Sequence, residues 1–243
     1  MAKFSSKDSV VLIDGFNVLG VTTELTHSVE AVTEESTAFG DDWEAHMYVG
    51  MKRAEITQNG FYDDASASVN DALNEQQGED RIYCIGYEGN TIGEAFTGFK
   101  GALQTNFERI ASRGALHRAN ASYTGNGEVE EGLILHALTA QTDATGDTKS
   151  TPVQHGSQTT AGGTAYLQVS DITLGGYASV TIRVLERNGD SWGTLETFTN
   201  VTSRTAERIE IAGTVEQDLA VEWEFNGAGS GNTITFFVGF VRK

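Results

Sequence analysis

The chain is short of cysteine, proline and basic residues, and each shortage excludes something. Its 243 residues include one cysteine, Cys84, so no disulfide can form within the chain. In the apolar run RIYCIGY, this cysteine is predicted to be a small buried side chain rather than a nucleophile. One proline beside 28 glycines, with many threonines and valines, favours β structure with glycine-containing turns.

A long hydrophobic run is missing at the amino terminus. The opening MAKFSSKDSVVLIDG has no apolar stretch long enough for a signal peptide or a membrane span. We therefore expect no membrane partner, and export would need another route, such as release by lysis.

Positive charge is scarce: 34 acidic residues face 16 basic ones, for a formal net charge of −18. The excess is spread along the chain. Residues 1–130 contain 21 acidic and 9 basic residues, and residues 131–243 contain 13 acidic and 7 basic residues. This excludes tight binding to nucleic-acid phosphates, which needs clustered Lys and Arg. Like surfaces repel unless salt screens them, because the Debye length falls to roughly 3 Å at 1 M. A high-salt source and an ordinary acidic protein are both open.

The hydrophobic pattern predicts a mainly β chain with two domains. In residues 1–132, an alternating strand (21–31), a loop (33–46) and a second alternation (47–62) precede one short helix near 65–77, capped by Asp64 and ended by Gly78. Residues 133–243 contain a flexible polar segment near 141–163. Strands then recur every 10 to 15 residues, with an Asn-Gly hairpin turn at 187–191. This spacing predicts an immunoglobulin-like or jelly-roll β-sandwich.

One cluster invites a chemical interpretation. Asp41, Asp42, Glu44 and His46 surround Trp43 in the predicted loop. Glycoside hydrolysis needs two carboxylates roughly 5–10 Å apart across a cleft, which a short loop does not establish. The spacing of a calcium loop is also absent. A catalytic site, a metal site and a contact loop for a second copy of the chain remain open at this point.

Other candidate chemistry is weaker. Asp143 and Asp147 could ligate calcium, but solvated loop carboxylates are the favoured interpretation. His27, His117 and His136 lie in strand-like patterns and are predicted to be structural. The motifs GxSxG, GxGxxG, CxxC and Walker A do not occur in the sequence. We therefore expect no enzyme, no cofactor and no bound metal.

The order of features in residues 8–138 resembles tail tube proteins of long-tailed viruses of bacteria and archaea. The resemblance is carried by VLIDGFNVLG, by STAFGDDWEAHMYVGMKRAEITQNGFYDD with the short helix after it, and by FTGFKGALQTNFERIASRGALHRANASYTGNG followed by LILHAL. Its anchors are Thr-x-Phe-Gly at 37–40, Gly-Phe-Tyr-Asp at 60–63 and Gly-x-Leu at 101–103. The second half, from AYLQV through NGDSWGTLETF to TFFVGFVRK, resembles the β-sandwich that many such proteins append.

The resemblance implies a structural virion protein, made in the host cytoplasm and located in the viral tail. Its copies form rings, usually of six, that stack into a tube and contact other tail proteins. Viral DNA passes through an acidic channel during genome ejection without tight binding, and the second β-sandwich decorates the outside. The residues implied in contacts between subunits or rings are Phe39, Asp41, Asp42, Trp43, Glu44, His46, Met47 and Tyr48.

Other readings remain. Residues 33–50 could fold back on their own domain instead of reaching a neighbour. The second half could be a receptor- or carbohydrate-binding module, for which Trp192 beside the Asn-Gly turn is the candidate surface contact. The chain could also be a capsid decoration or tail terminator protein, which would form isolated rings or trimers.

Overall fold

The structure is a computed structural model that describes residues 9–37, 42–44, 46–65, 69–74 and 76–243. Phe39 and Asp41, two of the predicted contact residues, lie outside the described residues. Besides its turns and loops, the described part contains one short α-helix, α1 (Val69–Leu73), one 3-10 turn (Leu19–Val21) and sixteen strands. The strands are β1 (Val10–Ile13), β2 (Phe16–Asn17), β3 (Thr22–Glu35), β4 (His46–Phe61), β5 (Asp80–Gly86), β6 (Ala95–Ile110), β7 (Arg118–Gly125), β8 (Val129–Gln141), β9 (Thr145–Asp147), β10 (Val153–Gln154), β11 (Gly163–Thr173), β12 (Ser179–Asn188), β13 (Ser191–Thr197), β14 (Thr205–Ile211), β15 (Asp218–Asn226) and β16 (Thr233–Arg242).

The strands form two antiparallel sheets, which confirms the mainly β prediction. The larger sheet has eleven strands in the order β14-β11-β16-β8-β6-β5-β1-β2, and β7, β4 and β3 extend it in turn from β6. The smaller sheet runs β10-β15-β12-β13, with β9 also paired to β15. It packs over β8, β11 and β16 across one apolar core, which makes a sandwich of the second half.

Strand β8 belongs to both halves of the chain. Its first residues pair with β6, from Val129 opposite Phe99 to Leu133 opposite Ala95. The rest of the strand pairs with β16. The predicted domain boundary at 132/133 therefore falls inside a continuous strand, and the division into two domains stays a prediction. Within the polar segment 141–163, β9 and β10 pair with β15, while the flexibility predicted for this segment also stays a prediction.

The long hairpin of β3 and β4 leaves less loop than the sequence pattern indicates. The expected loop covers residues 33–46, but β3 continues to Glu35, which pairs with His46 at the start of β4. Thr33, Glu34 and Glu35 keep their side chains exposed, so their polarity does not oppose strand pairing of the backbone.

The helix lies inside its predicted range but is shorter among the described residues. Val69, Ala72 and Leu73 of α1 are buried at helical spacing and pack on the core of the first half. The final strand, β16, is apolar on both faces because it lies centrally in the larger sheet. Phe236 and Val238 join the sandwich core, whereas Phe237 packs into a third cluster on the opposite face.

Among the described residues, the structure contains no helix long and apolar enough to span a membrane. Cys84 is a free, fully buried cysteine, as predicted.

Candidate subunit interface

The β3–β4 hairpin projects beyond the sheet that supports it. β4 pairs with β7 only from Glu55 to Phe61. Residues 29–35 of β3 and 46–54 of β4 have strand partners only in each other among the described residues. We call these two strand segments, with residues 42–44 between them, the ribbon. An isolated two-stranded hairpin is marginally stable in water. The ribbon is therefore a segment that gains from a partner.

One face of the ribbon continues the core-facing side of the sheet. Nearer the body of the molecule, this face carries Ile56, which is buried and lies opposite His27. Because side chains alternate along a strand and cross-strand partners share a face, the same face carries Val29, Lys52 and Tyr48 farther out. The described residues of the chain leave this outer part uncovered.

The largest exposed apolar side chains cluster on this hairpin. The exposed fraction is 86% for Trp43, 62% for Met47, 60% for Met51, 52% for Tyr48 and 48% for Val29. Val29 and Tyr48 lie on the uncovered face, whereas Met47, opposite Glu34, lies on the other face of the hairpin. Leu116, which is 72% exposed, lies outside the hairpin. Single exposed apolar residues are normal on a soluble protein, but several on one hairpin mark it as a candidate interaction surface.

The predicted acidic cluster does not form a chemical site in the described residues. Asp42 and Glu44 are exposed, and Glu44 Oε1 lies 3.2 Å from Nε2 of the exposed His46. Among the residues described, no three His, Cys, Asp or Glu side chains lie close enough to hold a metal ion. Asp147 accepts a hydrogen bond from the backbone N–H of Lys149 at 3.0 Å and lies 3.4 Å from its ammonium group. The predicted contact role of the hairpin residues stays a prediction.

The four-stranded part β3-β4-β7-β6 has a free edge on each side. β3 pairs with β4 alone. β5 and β7 lie on opposite sides of β6, because both pair with Ala102 and Leu103. The pairing with β5 stops at Leu103, whereas the pairing with β7 continues to Ile110. Within the described part of the chain, residues 105–110 therefore have no strand partner on their second side. Unpaired strand edges are templates for pairing with another chain.

The outward face of this four-stranded part is polar. Cross-strand pairs place Glu30 opposite Arg53, and Asn59 between Glu24 and Asn120. The same face carries Glu24, Thr26, Ser28, Glu30, Arg53, Glu55, Thr57, Asn59, Asn106, Glu108, Arg118, Asn120, Ser122 and Thr124. Its two apolar members, Phe61 and Ile110, both lie opposite Arg118 at one end. Four carboxylates against two guanidinium groups give this surface a net negative charge.

A largely buried pair of charges joins the two halves. Glu130 of β8 and Arg208 of β14 are 3% and 10% exposed, with 2.9 Å between Oε2 and Nη2. Glu130 also accepts hydrogen bonds from the hydroxyls of Thr164, at 3.0 Å, and Tyr166. Burial, and then the hydrogen bond to Glu130, raise the pKa of Tyr166 well above its usual value. These contacts explain how a carboxylate is stable in the interior.

The histidines predicted to be structural differ in their surroundings. His136 is buried and stacks on Phe236 with 3.9 Å between ring centroids. Burial lowers its pKa to about 4. His27 accepts from or donates to the hydroxyl of Tyr87 through Nδ1 at 2.6 Å. His117 lies outside a strand and is exposed, so its predicted place in a strand is wrong.

Trp192, the candidate outer contact, is half-buried rather than exposed. The guanidinium carbon of Arg187 lies 5.6 Å from the centre of its ring. Among the described residues, the exposed large apolar side chains all belong to the first half, between Val29 and Leu116.

No protein-family profile matches the chain, and no curated protein sequence matches it. Among solved structures, it is similar to the virion of a native gene transfer agent (GTA) particle, with 16% identity, a TM-score of 0.40, and coverage of 52% of this chain and 97% of that chain. The tail of an empty GTA particle with C6 symmetry is 13% identical, with a TM-score of 0.39 and coverage of 52% of this chain and 97% of that chain. The SPP1 Dit protein is 11% identical, with a TM-score of 0.35 and coverage of 96% of this chain and 99% of that chain. It is described as a paradigm of the hub adsorption apparatus in phages infecting Gram-positive bacteria. Similarity at this level supports no conclusion about function.

Proposed function

We propose that the chain is a structural subunit of a viral tail tube. Its copies join edge to edge into rings, the rings stack, and DNA passes through the central channel. The sequence resemblance of residues 8–138 suggests this role. The observation that carries it is the four-stranded part β3-β4-β7-β6, which has a free edge on each side and one polar face.

The two free edges are different, which matters for the kind of assembly. In the proposed ring, β3 of one copy pairs with residues 105–110 of β6 in the next copy. A contact between two different patches is heterologous, and it closes into a ring when the rotation between copies allows. Closure pairs the backbone N–H and C=O groups that the isolated subunit leaves unpaired, and so removes an aggregation hazard.

The polar face lines the channel in this arrangement. Six copies, the number implied by the resemblance, contribute two dozen strands. At a strand spacing of about 4.8 Å and the tilt usual in barrels, opposite backbones are roughly 35–50 Å apart. Glu24, Glu30, Glu55 and Glu108 then repel the phosphates of the passing DNA, while Arg53 and Arg118 are too few to hold it.

The sandwich of the second half decorates the outside of the tube in this proposal. The competing function, a receptor- or carbohydrate-binding module, requires exposed aromatic side chains there. Trp192 is half-buried beside Arg187, so the described residues offer that alternative no platform. A capsid decoration or terminator protein would use the same edges but would stop at single rings or trimers. The tube proposal places the protein in the virion, in contact with itself and other tail proteins.

Negative-stain microscopy of the purified chain tests the proposal. The net charge of −18 opposes association at low ionic strength, so the chain is examined from about 0.01 M to about 1 M salt, where the Debye length falls from roughly 30 Å to 3 Å. We expect rings or tubes with a central hole at high salt, and light scattering that increases with salt. Single particles at every salt concentration would refute the proposal. Rings that never stack would favour a terminator protein.

A further inference from the structure

We propose that the ribbon of one copy packs into an apolar groove at the opposite end of β3 in a copy of the adjoining ring. This inference rests on the proposed function and names the receiving surface for the stacking contact. The partner is a second copy of this chain. Each step below uses only described residues.

The groove lies beside the first residues of β3. Val11, Leu19, Leu25, Ile85 and Tyr87 provide most of its apolar wall, and its volume is about 510 Å³. The hydrogen bond between Tyr87 and His27, whose rings stack with 5.3 Å between centroids, fixes the aromatic side of this wall. A fixed concave apolar surface suits protruding apolar side chains.

The groove and the ribbon are at opposite ends of one strand. Residues 22–25 of β3 line the groove, and residues 29–35 belong to the ribbon. The 14 residues of β3 span about 45 Å at 3.3 Å per residue. The ribbon therefore points away from the groove of its own chain. A head-to-tail contact between copies engages both surfaces at once, and repetition of such a contact gives a filament.

The two surfaces are complementary in charge as well as in polarity. The uncovered face of the ribbon presents Tyr48 and Val29 together with the cation of Lys52, and its far end carries Glu35 opposite His46. The rim of the groove presents Glu24, and the exposed Glu88 follows Tyr87. In a chain of net charge −18, a cation beside apolar side chains distinguishes the ribbon as the matching surface.

Thiol cross-linking between copies tests the contact. Thr33 is exposed and lies opposite Tyr48 on the uncovered face, so a thiol there keeps the tyrosine in place. The double variant Thr33→Cys, Leu19→Cys is assembled at high salt, treated with a short bismaleimide and separated on a denaturing gel. Cys84 does not interfere, because it is fully buried and burial raises the pKa of its thiol to about 12. We expect a ladder of dimers, trimers and larger products, since each chain carries one thiol for each neighbour.

Two further variants serve as control and backup. Thr33→Cys with Asp190→Cys, whose second thiol lies in the exposed turn between β12 and β13, should give no cross-linked products above those of the unmodified chain. Because Leu19 is half-buried, its replacement could disturb folding. Lys52→Cys with Thr23→Cys uses two exposed positions, of which Thr23 lines the groove, and should give the same ladder.

The outcomes separate this inference from the proposed function. Tubes of the double variants that yield no ladder, or a ladder equal to that of the Asp190 control, would overturn the ribbon-in-groove contact while the tail-tube role stands. Failure of the unmodified chain to form rings or tubes would instead overturn the proposed function.

Discussion

The ribbon and the second-half sandwich present opposite kinds of surface. The ribbon exposes Trp43, Met47, Tyr48 and Met51 and has no supporting third strand among the described residues. The smaller sheet of the sandwich buries its apolar side chains, and its solvent face carries paired charges such as Arg183 with Glu222 at 3.0 Å. The sandwich surface is complete in the isolated chain, whereas the ribbon surface is suited to a partner.

This difference shows where assembly information lies in the chain. Apolar area left in water costs free energy that a protein recovers only by covering it. The first half leaves such area at the ribbon and leaves backbone groups unpaired at two strand edges. Changes in the ribbon should therefore alter assembly without altering folding, and changes in the sandwich should do the reverse.

The largest expected effect is the loss of tubes when ribbon anchors are removed. Trp43→Ala with Tyr48→Ala should leave a folded chain, with its free energy of unfolding changed by no more than about 0.5 kcal/mol, because both side chains are exposed. Tubes should be absent or short in micrographs. The matched control, Trp192→Ala in the sandwich, should assemble normally. Tubes of ordinary length from the ribbon variant would contradict the comparison.

The largely buried pair of charges should show the reverse pattern. Arg208→Met leaves Glu130 buried without its main cationic partner, so the free energy of unfolding should fall by about 3–5 kcal/mol. Urea unfolding measures this change. The control Arg183→Met removes a more exposed cation from the smaller sheet and should cost no more than about 1 kcal/mol. If both variants lost the same free energy of unfolding, burial of the Glu130–Arg208 pair would make no difference to its contribution to stability.

A smaller effect is expected from the buried histidine of the sandwich. Burial lowers the pKa of His136 from 6.5 to about 4, so below about pH 6.5 the unfolded chain binds a proton that the folded chain does not. Stability should therefore decrease as the pH falls from about 6.5 to 4 and, for this residue, level off below that. The total is about 3 kcal/mol. His136→Gln should remove this part of the pH dependence, while His117→Gln, at an exposed position, should keep it. If the free energy of unfolding of His136→Gln depended on pH as strongly as that of the unmodified chain, the pH dependence would not come from a buried, neutral His136.

The smallest effect concerns charge pairs on the solvent face of the sandwich. Lys149 lies 2.7 Å from Glu222 and 3.4 Å from Asp147, and these hydrogen bonds raise its pKa. Lys149→Met should lower the free energy of unfolding by at most about 1 kcal/mol at low salt, and by less at about 1 M salt, because exposed pairs are screened. Thermal unfolding at both salt concentrations checks this. A loss that is independent of salt would indicate packing of the lysine stem instead.

The sequence predicted local structure better than long-range structure. Alternation identified β12 and β15, because burial of one face sets the side-chain pattern. It also placed β3, but no side chain of β3 is buried in the chain alone, so the buried face expected there was wrong. The helix was placed correctly through Val69, Ala72 and Leu73. In contrast, the loop after β3 was predicted too long, because acidic side chains on an exposed strand resemble a loop in sequence.

The features that carry the proposal depend on partners far away in the chain. Glu130 lies in the acidic run GEVEEG, and nothing local separates it from Glu131, but in the structure its partner Arg208 is 78 residues away. The free edge at residues 105–110 is equally invisible in the sequence, because it depends on where β5 ends. The aromatic and sulfur-containing side chains near Trp43 were the one local signal of the exposed ribbon.

Amide hydrogen exchange, compared between the separate and the assembled chain, tests the shared-edge account most directly. The account predicts that the amides of β3 and of residues 105–110 that point to the free edges, and not those bonded to β4 or β7, exchange quickly in the monomer and become protected in rings or tubes. Amides of β13, at the margin of the sandwich, should exchange at the same rate in both forms. Assembled particles in which β3 and residues 105–110 exchange as fast as in the monomer would show that these margins stay open, and that the copies are joined some other way.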